Sequence, residues 1–235
     1  MTYKEEDHFQ QHFDQGDDYK GKRQFNKAIA EYEEALRVFP YPEDPDFHLT
    51  LYKLALALRD NQEPERAMAA LKRLLNLTPE DAVVHDVVGG LFADEGEVED
   101  AINSYQEAIR LDPEYVDAYH NMAVAFKEAG QYGEAVKAYQ KALELAPDEP
   151  DIHYSYGNTL RRLNQFDEAV KEYQTAIKLK PDYADAYNNL GLTFNDIGLY
   201  KEAALACRTG LDFAPGDPDL QLNLQDALDS QAKAN

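Results

Sequence analysis

Apolar residues recur along this chain as paired helical stripes. In residues 116–149 the first stripe is Tyr119, Met122, Ala123 and Phe126, and the second is Ala135, Val136, Tyr139, Ala142 and Leu143. Spacings of three and four residues place each set on one face of a helix. Gly130 stands between the stripes, where a left-handed residue ends a helix. Glu134, like Asp167 and Glu168 further on, falls in the first turn of a second helix, where the dipole favours an acid. Pro147 cannot continue that helix and marks its exit.

The pattern returns at a fixed period. Prolines 79, 113, 147, 181 and 215 are 34 residues apart, and Pro40 precedes Pro79 by one period plus a five-residue insertion. The chain therefore divides into windows 9–42, 48–81, 82–115, 116–149, 150–183 and 184–217, with 43–47 inserted. Position eight of the windows holds Gly16, Ala55, Gly89, Ala123, Gly157 and Gly191, and position twenty holds alanine in every window, from Ala28 to Ala203. Position eleven is large and apolar throughout: Tyr19, Leu58, Phe92, Phe126, Leu160 and Phe194. Position twenty-four holds Tyr32, Leu71, Tyr105, Tyr139, Tyr173 and Cys207. Small residues let two helices approach closely while the aromatic ones fill the space beside them. One such hairpin cannot bury its own face, so neighbours must stack.

The period and the small, aromatic and proline positions resemble the tetratricopeptide repeat (TPR) family over residues 9–217. The fold expected is all-α, a right-handed superhelical TPR solenoid of six helix-turn-helix repeats in one continuous body. Residues 1–8 would precede it, and 218–235 would form a capping helix and tail with Leu220, Leu224, Ala227 and Leu228 on one face. Departures from the family pattern are the missing tryptophan at position four and polar Gln15 at position seven. Position four holds His12, Leu51, His85, Tyr119, His153 and Tyr187 instead. In the second window Leu74 stands at position twenty-seven, and Asn61-Gln62-Glu63-Pro64 replaces a glycine turn.

The resemblance also implies that positions two, five, six, nine, twelve and thirteen of the first helices line a concave groove. Lys20, Arg59, Lys127 and Arg161 share position twelve, with Arg162 beside the last. Positions six and nine supply Asn121, Asn158 and Asn189, with Asn188 adjacent, and Tyr52, Tyr154 and His120 fall in the same lining. Asparagine carries two donors and an acceptor, suited to an extended peptide backbone. Lysine and arginine suit acidic side chains or a carboxylate. The plainer alternative is that these cations sit solvated at helix C-termini. Acids also face the groove, and Asp117, Asp151 and Asp185 could serve as helix caps. The family's carboxylate clamp, a Lys–Asn–Asn–Lys–Arg set, has no complete match here, and Ser155 interrupts the asparagine ladder.

Composition narrows the function. Across 235 residues, 23 basic and 45 acidic side chains give a formal charge of −22, which disfavours nucleic acid as a partner. A hydrophobic fraction of 44% is enough for a packed core despite a mean hydropathy of −0.64. No apolar run is long enough to span a membrane, no apolar leader is visible at residues 1–7, and a single cysteine cannot make an internal disulfide. These features suggest a soluble, acidic, cytoplasmic protein. No phosphate-cradling glycine loop or nucleophile elbow occurs. His8 and His12 are one turn apart, but the sequence specifies no further metal ligands. Cys207 occupies a packing position, as a buried thiol rather than a nucleophile. No cofactor, metal or catalytic residue is expected. The function expected is a non-enzymatic scaffold or adaptor, of the assembly-factor kind, that holds a protein or peptide segment in its groove. The alternatives are a self-assembling homo-oligomeric structural protein and an accessory subunit of an enzyme complex.

Overall fold

The computed structural model describes residues 3–234, with side chains described from residue 7. Residues 1 and 2 of the expected extension and Asn235 of the expected tail lie outside the described residues. Among the described residues there are thirteen α-helices and no strand. Two compact units are present, one up to Ala118 and one from Tyr119 onward.

The first unit contains α1 (Tyr3–Gly21), α2 (Phe25–Val38), α3 (Pro45–Asp60), α4 (Pro64–Leu77), α5 (Ala82–Asp94) and α6 (Val98–Leu111). Residues 3–8 are continuous with α1. Its helices pack as α1 with α2, α3 with α4 and α5 with α6, and α2 and α4 also pack on the helix that follows each of them. Tyr32, Phe47, Leu51, Leu58, Leu71 and Leu91 are buried in one core that joins the pairs. Position eight behaves as a close approach. A Cβ on Gly16 would lie 2.5 Å from the Tyr32 ring, and one on Gly89 would lie 2.6 Å from the Tyr105 ring.

The second unit contains most of α7 (Val116–Glu128), then α8 (Tyr132–Leu145), α9 (Pro150–Arg162), α10 (Phe166–Leu179), α11 (Ala184–Asp196), α12 (Tyr200–Phe213) and α13 (Pro218–Ala234). Here α9 packs on α10, α11 on α12 and α12 on α13. Tyr139, Tyr173, Ile152, Leu160, Leu190, Cys207 and Leu220 are buried. Leu220 and Ala227 give α13 its inward face, and Leu220 packs against Gly210.

Each helical pair closes by one turn geometry. Arg23, Gln62, Gly96, Gly130, Asn164 and Gly198 all have positive φ, between 56° and 79°. In each turn the next residue donates its N–H to a carbonyl five residues back, as Gln24 does to Tyr19 (2.9 Å) and Gln131 does to Phe126 (2.8 Å). That bond pattern satisfies helix-end carbonyls without any side chain. The Asn61–Pro64 turn therefore closes like the glycine turns despite its composition, with Glu63 N–H bonded to Leu58 O at 2.9 Å.

The helix starts correct one expectation. Asp151 and Asp185 lie inside the first turns of α9 and α11, whose N-cap positions belong to Glu149 and Tyr183. The capping carboxylates are Asp44, Asp81 and Asp217, which accept from backbone N–H groups two or three residues on. An aspartate two residues further into the helix favours the dipole but cannot reach back to those N–H groups. A second device recurs before these helices. His48, His85, His153 and Gln221 each bond the carbonyl of a proline six residues earlier, at 2.6–3.1 Å.

Candidate functional site: a polar cleft in the second unit

The 34-residue period sets this site, because residues one period apart fall on neighbouring first helices. Asn189 of α11 donates through Nδ2 to Asn158 Oδ1 of α9 at 2.7 Å and to the Tyr154 hydroxyl at 3.1 Å. Tyr173 of α10 donates its hydroxyl to the same Asn158 oxygen at 2.8 Å. Two bonds thus hold the Asn158 carbonyl, and its amide bonds the Tyr154 hydroxyl. Asn189 commits donors inward and keeps its Oδ1 as an acceptor. Asn158 has one amide N–H, and Asn189 its Oδ1, beyond these bonds.

These residues floor a cleft of about 980 Å³, also lined by Lys127, Arg161, Arg162, Asn164, Tyr132, Phe166, Glu128 and Asp196. Arg161 donates through Nε and Nη2 to Asp196 Oδ2 at 3.0 and 2.8 Å, a partly exposed pair. Lys127 and Arg162 have no carboxylate within ion-pair distance among the described residues. In a chain of charge −22, three cations around one cleft form a local reversal of sign. The aromatic hydroxyls beside it stay protonated. Burial raises the pKa of Tyr154 despite the bonds it receives from the asparagines, and burial also raises that of Tyr173.

Of the twelve residues expected in a groove, Lys127, Asn158, Arg161, Arg162 and Asn189 meet at this cleft, and Tyr154 touches it through Asn189. Asn188 accepts from Asn223 of α13 at 2.7 Å instead. His120 lies 3.4 Å from Ser155 Oγ, with its ring 5.9 Å from that of Tyr139. Asn121 is half-buried on α7. The remaining three lie in the first unit. Burial lowers the Lys20 pKa, with Asp60 opposing that and Arg59 adding to it. Arg59 stands 3.7 Å from Asp60, and Tyr52 is raised by burial and by Asp86. Sequence reasoning missed Asp196, Asn164 and Tyr173. Asp196 stands 35 residues after Arg161, at position thirteen of the next window, so that spacing was the available signal.

The histidines at position four are half-buried, and two of them meet a glutamate. His12 Nδ1 lies 2.7 Å from Glu31, and His153 Nδ1 lies 2.6 Å from Glu172. Among the described residues no group of three or more His, Cys, Asp or Glu side chains gathers at one point to hold a metal ion. Among the same residues no helix is long and apolar enough to cross a membrane. Cys207 is fully buried, and burial pushes its thiol up to about 11.

Three sequence models match this chain. One described as TPR repeat matches 89–130, 125–161 and 157–198, and two described as tetratricopeptide repeat match 13–82 and 184–217. Solved structures are similar in fold. PilW, a widely conserved type IV pilus biogenesis factor, superposes with a TM-score of 0.79 at 18% identity, over 92% of this chain and 98% of that one. YrrB, a TPR protein with an unusual peptide-binding site, gives 0.63 at 21% identity, over 86% and 97%. A chain of the APC/C hetero-tetramer Cut9-Hcn1 gives 0.73 at 16% identity over 91% of this chain, which spans 41% of that chain's length. No curated protein sequence matches the chain.

Proposed function

The chain belongs to the tetratricopeptide repeat family, and from that premise we propose a non-enzymatic protein-interaction scaffold that grips an extended peptide segment of a partner at the α9–α11 cleft. One observation carries the reading: Asn158 and Asn189 are fixed by their neighbours on the lining of this cleft, with an amide N–H and an Oδ1 beyond the bonds that hold them. An extended main chain offers a C=O and an N–H at matching spacing, whatever its side chains. Lys127 and Arg162 add preference for segments bearing carboxylates. YrrB's peptide-binding site gives the same class of ligand a precedent on this fold. A cytoplasmic setting belongs to the same proposal, supported by the single cysteine, Cys207.

The test is selection of a phage-displayed random peptide library on the full chain, followed by affinity measurement on variants. Peptides bound by the parent protein should lose about tenfold in affinity to Asn158→Ala and to Asn189→Ala, the order of a lost hydrogen bond with its partner left unpaired. Lys127→Ala and Arg162→Ala should weaken peptides with acidic residues and spare neutral ones. Enriched peptides indifferent to both asparagine changes, or no enrichment at all, would remove the proposal.

A further inference from the structure

His153 makes two contacts that a neutral imidazole cannot satisfy together. Nδ1 lies 2.6 Å from a Glu172 carboxylate oxygen on α10, and Nε2 lies 2.9 Å from the Pro147 carbonyl oxygen in the turn entering α9. Both partners are acceptors. A neutral ring carries one N–H, so one contact would pair two lone pairs across 3 Å or less. Only the imidazolium donates at both nitrogens. The side chain is 12% exposed, with the Glu172 contact part-buried and the Pro147 contact on the solvent side.

Other repeats show the two halves of this arrangement separately. His12 meets Glu31 at the same spacing of nineteen residues. His85 bonds the Pro79 carbonyl at 3.1 Å, but Ser104 stands where the glutamate would be, and its hydroxyl is turned to Asp100 O. Gln221 makes the proline bond at 3.0 Å with an amide that does not titrate near neutral pH. The proline bond therefore needs no charge, whereas the double contact does.

We propose that His153, Glu172 and the Pro147 carbonyl form a proton-operated interlock that fastens the first turn of α9 to α10 and opens as pH rises. The charged groups of the surrounding elements that act on the ring are Glu172 of α10 and Asp148 of the turn, and neither α8 nor α11 contributes one among the described residues. Burial alone would lower the histidine pKa. The bond to Glu172, the bond to Pro147 and the charges of Glu172 and Asp148 outweigh it, so the folded value lies above the ordinary one of about 6.5. A raised folded pKa means that the stabilisation is complete below the unfolded value and disappears as pH climbs through the folded value. Alkaline conditions loosen the start of α9, a few residues before Asn158.

The experiment is an NMR titration of the full chain. Both ring nitrogens of His153 should show imidazolium shifts at pH 6.5, and the midpoint should lie above that of a histidine peptide. Glu172→Gln should return the midpoint toward the peptide value. Hydrogen-exchange protection of the first amides of α9 should fall about tenfold between pH 6 and pH 9, the order of one lost charge-assisted hydrogen bond. His153→Gln keeps the proline bond in the manner of Gln221, so its protection should not change with pH. A midpoint at or below the peptide value, or a parent protein and His153→Gln that respond alike to pH, would overturn the proposal. The ring-nitrogen shifts of the parent protein decide it even if a variant fails to fold.

Discussion

Two adjacent glycines on α5 provide a controlled test of how these helices pack. A Cβ on Gly89 would meet three atoms of the Tyr105 ring at 2.6, 2.8 and 3.0 Å. A Cβ on Gly90 would find nothing closer than 3.9 Å, at Arg59 Nη1 and the Tyr105 hydroxyl. Both sites are interior to the same helix, so replacement by alanine brings the same propensity gain of about 0.5–1 kcal/mol. At Gly90 that gain stands alone. At Gly89 the ring, only 3% exposed, must move by most of an ångström inside a packed layer. Overpacking of this kind costs about 1–3 kcal/mol, and a contact this short on three ring atoms belongs near the top of that range. Gly90→Ala should therefore stabilise by about 0.5–1 kcal/mol, and Gly89→Ala should destabilise by about 1–2 kcal/mol. At about 2–4 °C per kcal/mol for a chain of this size, the two melting temperatures should differ by roughly 3–12 °C. Urea unfolding followed by far-ultraviolet circular dichroism measures the same difference, provided the slopes stay equal, since stacked repeats can lose cooperativity. If Gly89→Ala is as stable as Gly90→Ala, the small residue at position eight is not a packing requirement and the account of the repeat core fails.

Two further outcomes follow from the same geometry. Arg23 and Gln62 sit at φ 56° and 61°, a region that costs an L-residue about 1–2 kcal/mol, so Arg23→Gly and Gln62→Gly should each raise stability by about 0.5–1 kcal/mol after the entropy of the unfolded glycine is counted. Chemical denaturation checks this, and a loss of stability in either variant would show that the side chain supports the turn. For Cys207, a thiol raised to about 11 by burial should react with a disulfide reagent at pH 8 about a hundredfold more slowly in the native protein than in urea, and equal rates would contradict its placement in the core.

The repeat core was legible because sterics repeat at one period. Glycine or alanine at position eight and an aromatic ring at position twenty-four are two sides of one contact, so the columns disclose it directly. The turn at Asn61–Pro64 was harder to read. Its closure depends on backbone N–H and C=O groups, which carry no side-chain signature. The helix caps misled for a related reason. Asp151 and Asp81 look alike in sequence, but α5 and α9 both begin at position one of their windows, and Asp81 stands one residue before that start while Asp151 stands one residue after it. At the cleft, residue types pointed to Asn158, Asn189, Lys127 and Arg161, but the pairing of Arg161 with Asp196 depends on rotamers and on the stagger of α9 against α11. The glutamates facing His12 and His153 were hidden similarly, because they belong to the second helix of each pair.

The backbone-closed turn has a consequence for how such a surface can change. Gly130 and Gly198 leave their turns bare, whereas Asn164 places an amide on the cleft from the equivalent position. The loop keeps its shape with glycine, arginine, glutamine or asparagine in that place, so the fold tolerates each of them at a cost of about 1 kcal/mol or less. Recognition chemistry can therefore be rewritten at the turns one residue at a time, while the helices behind them remain undisturbed.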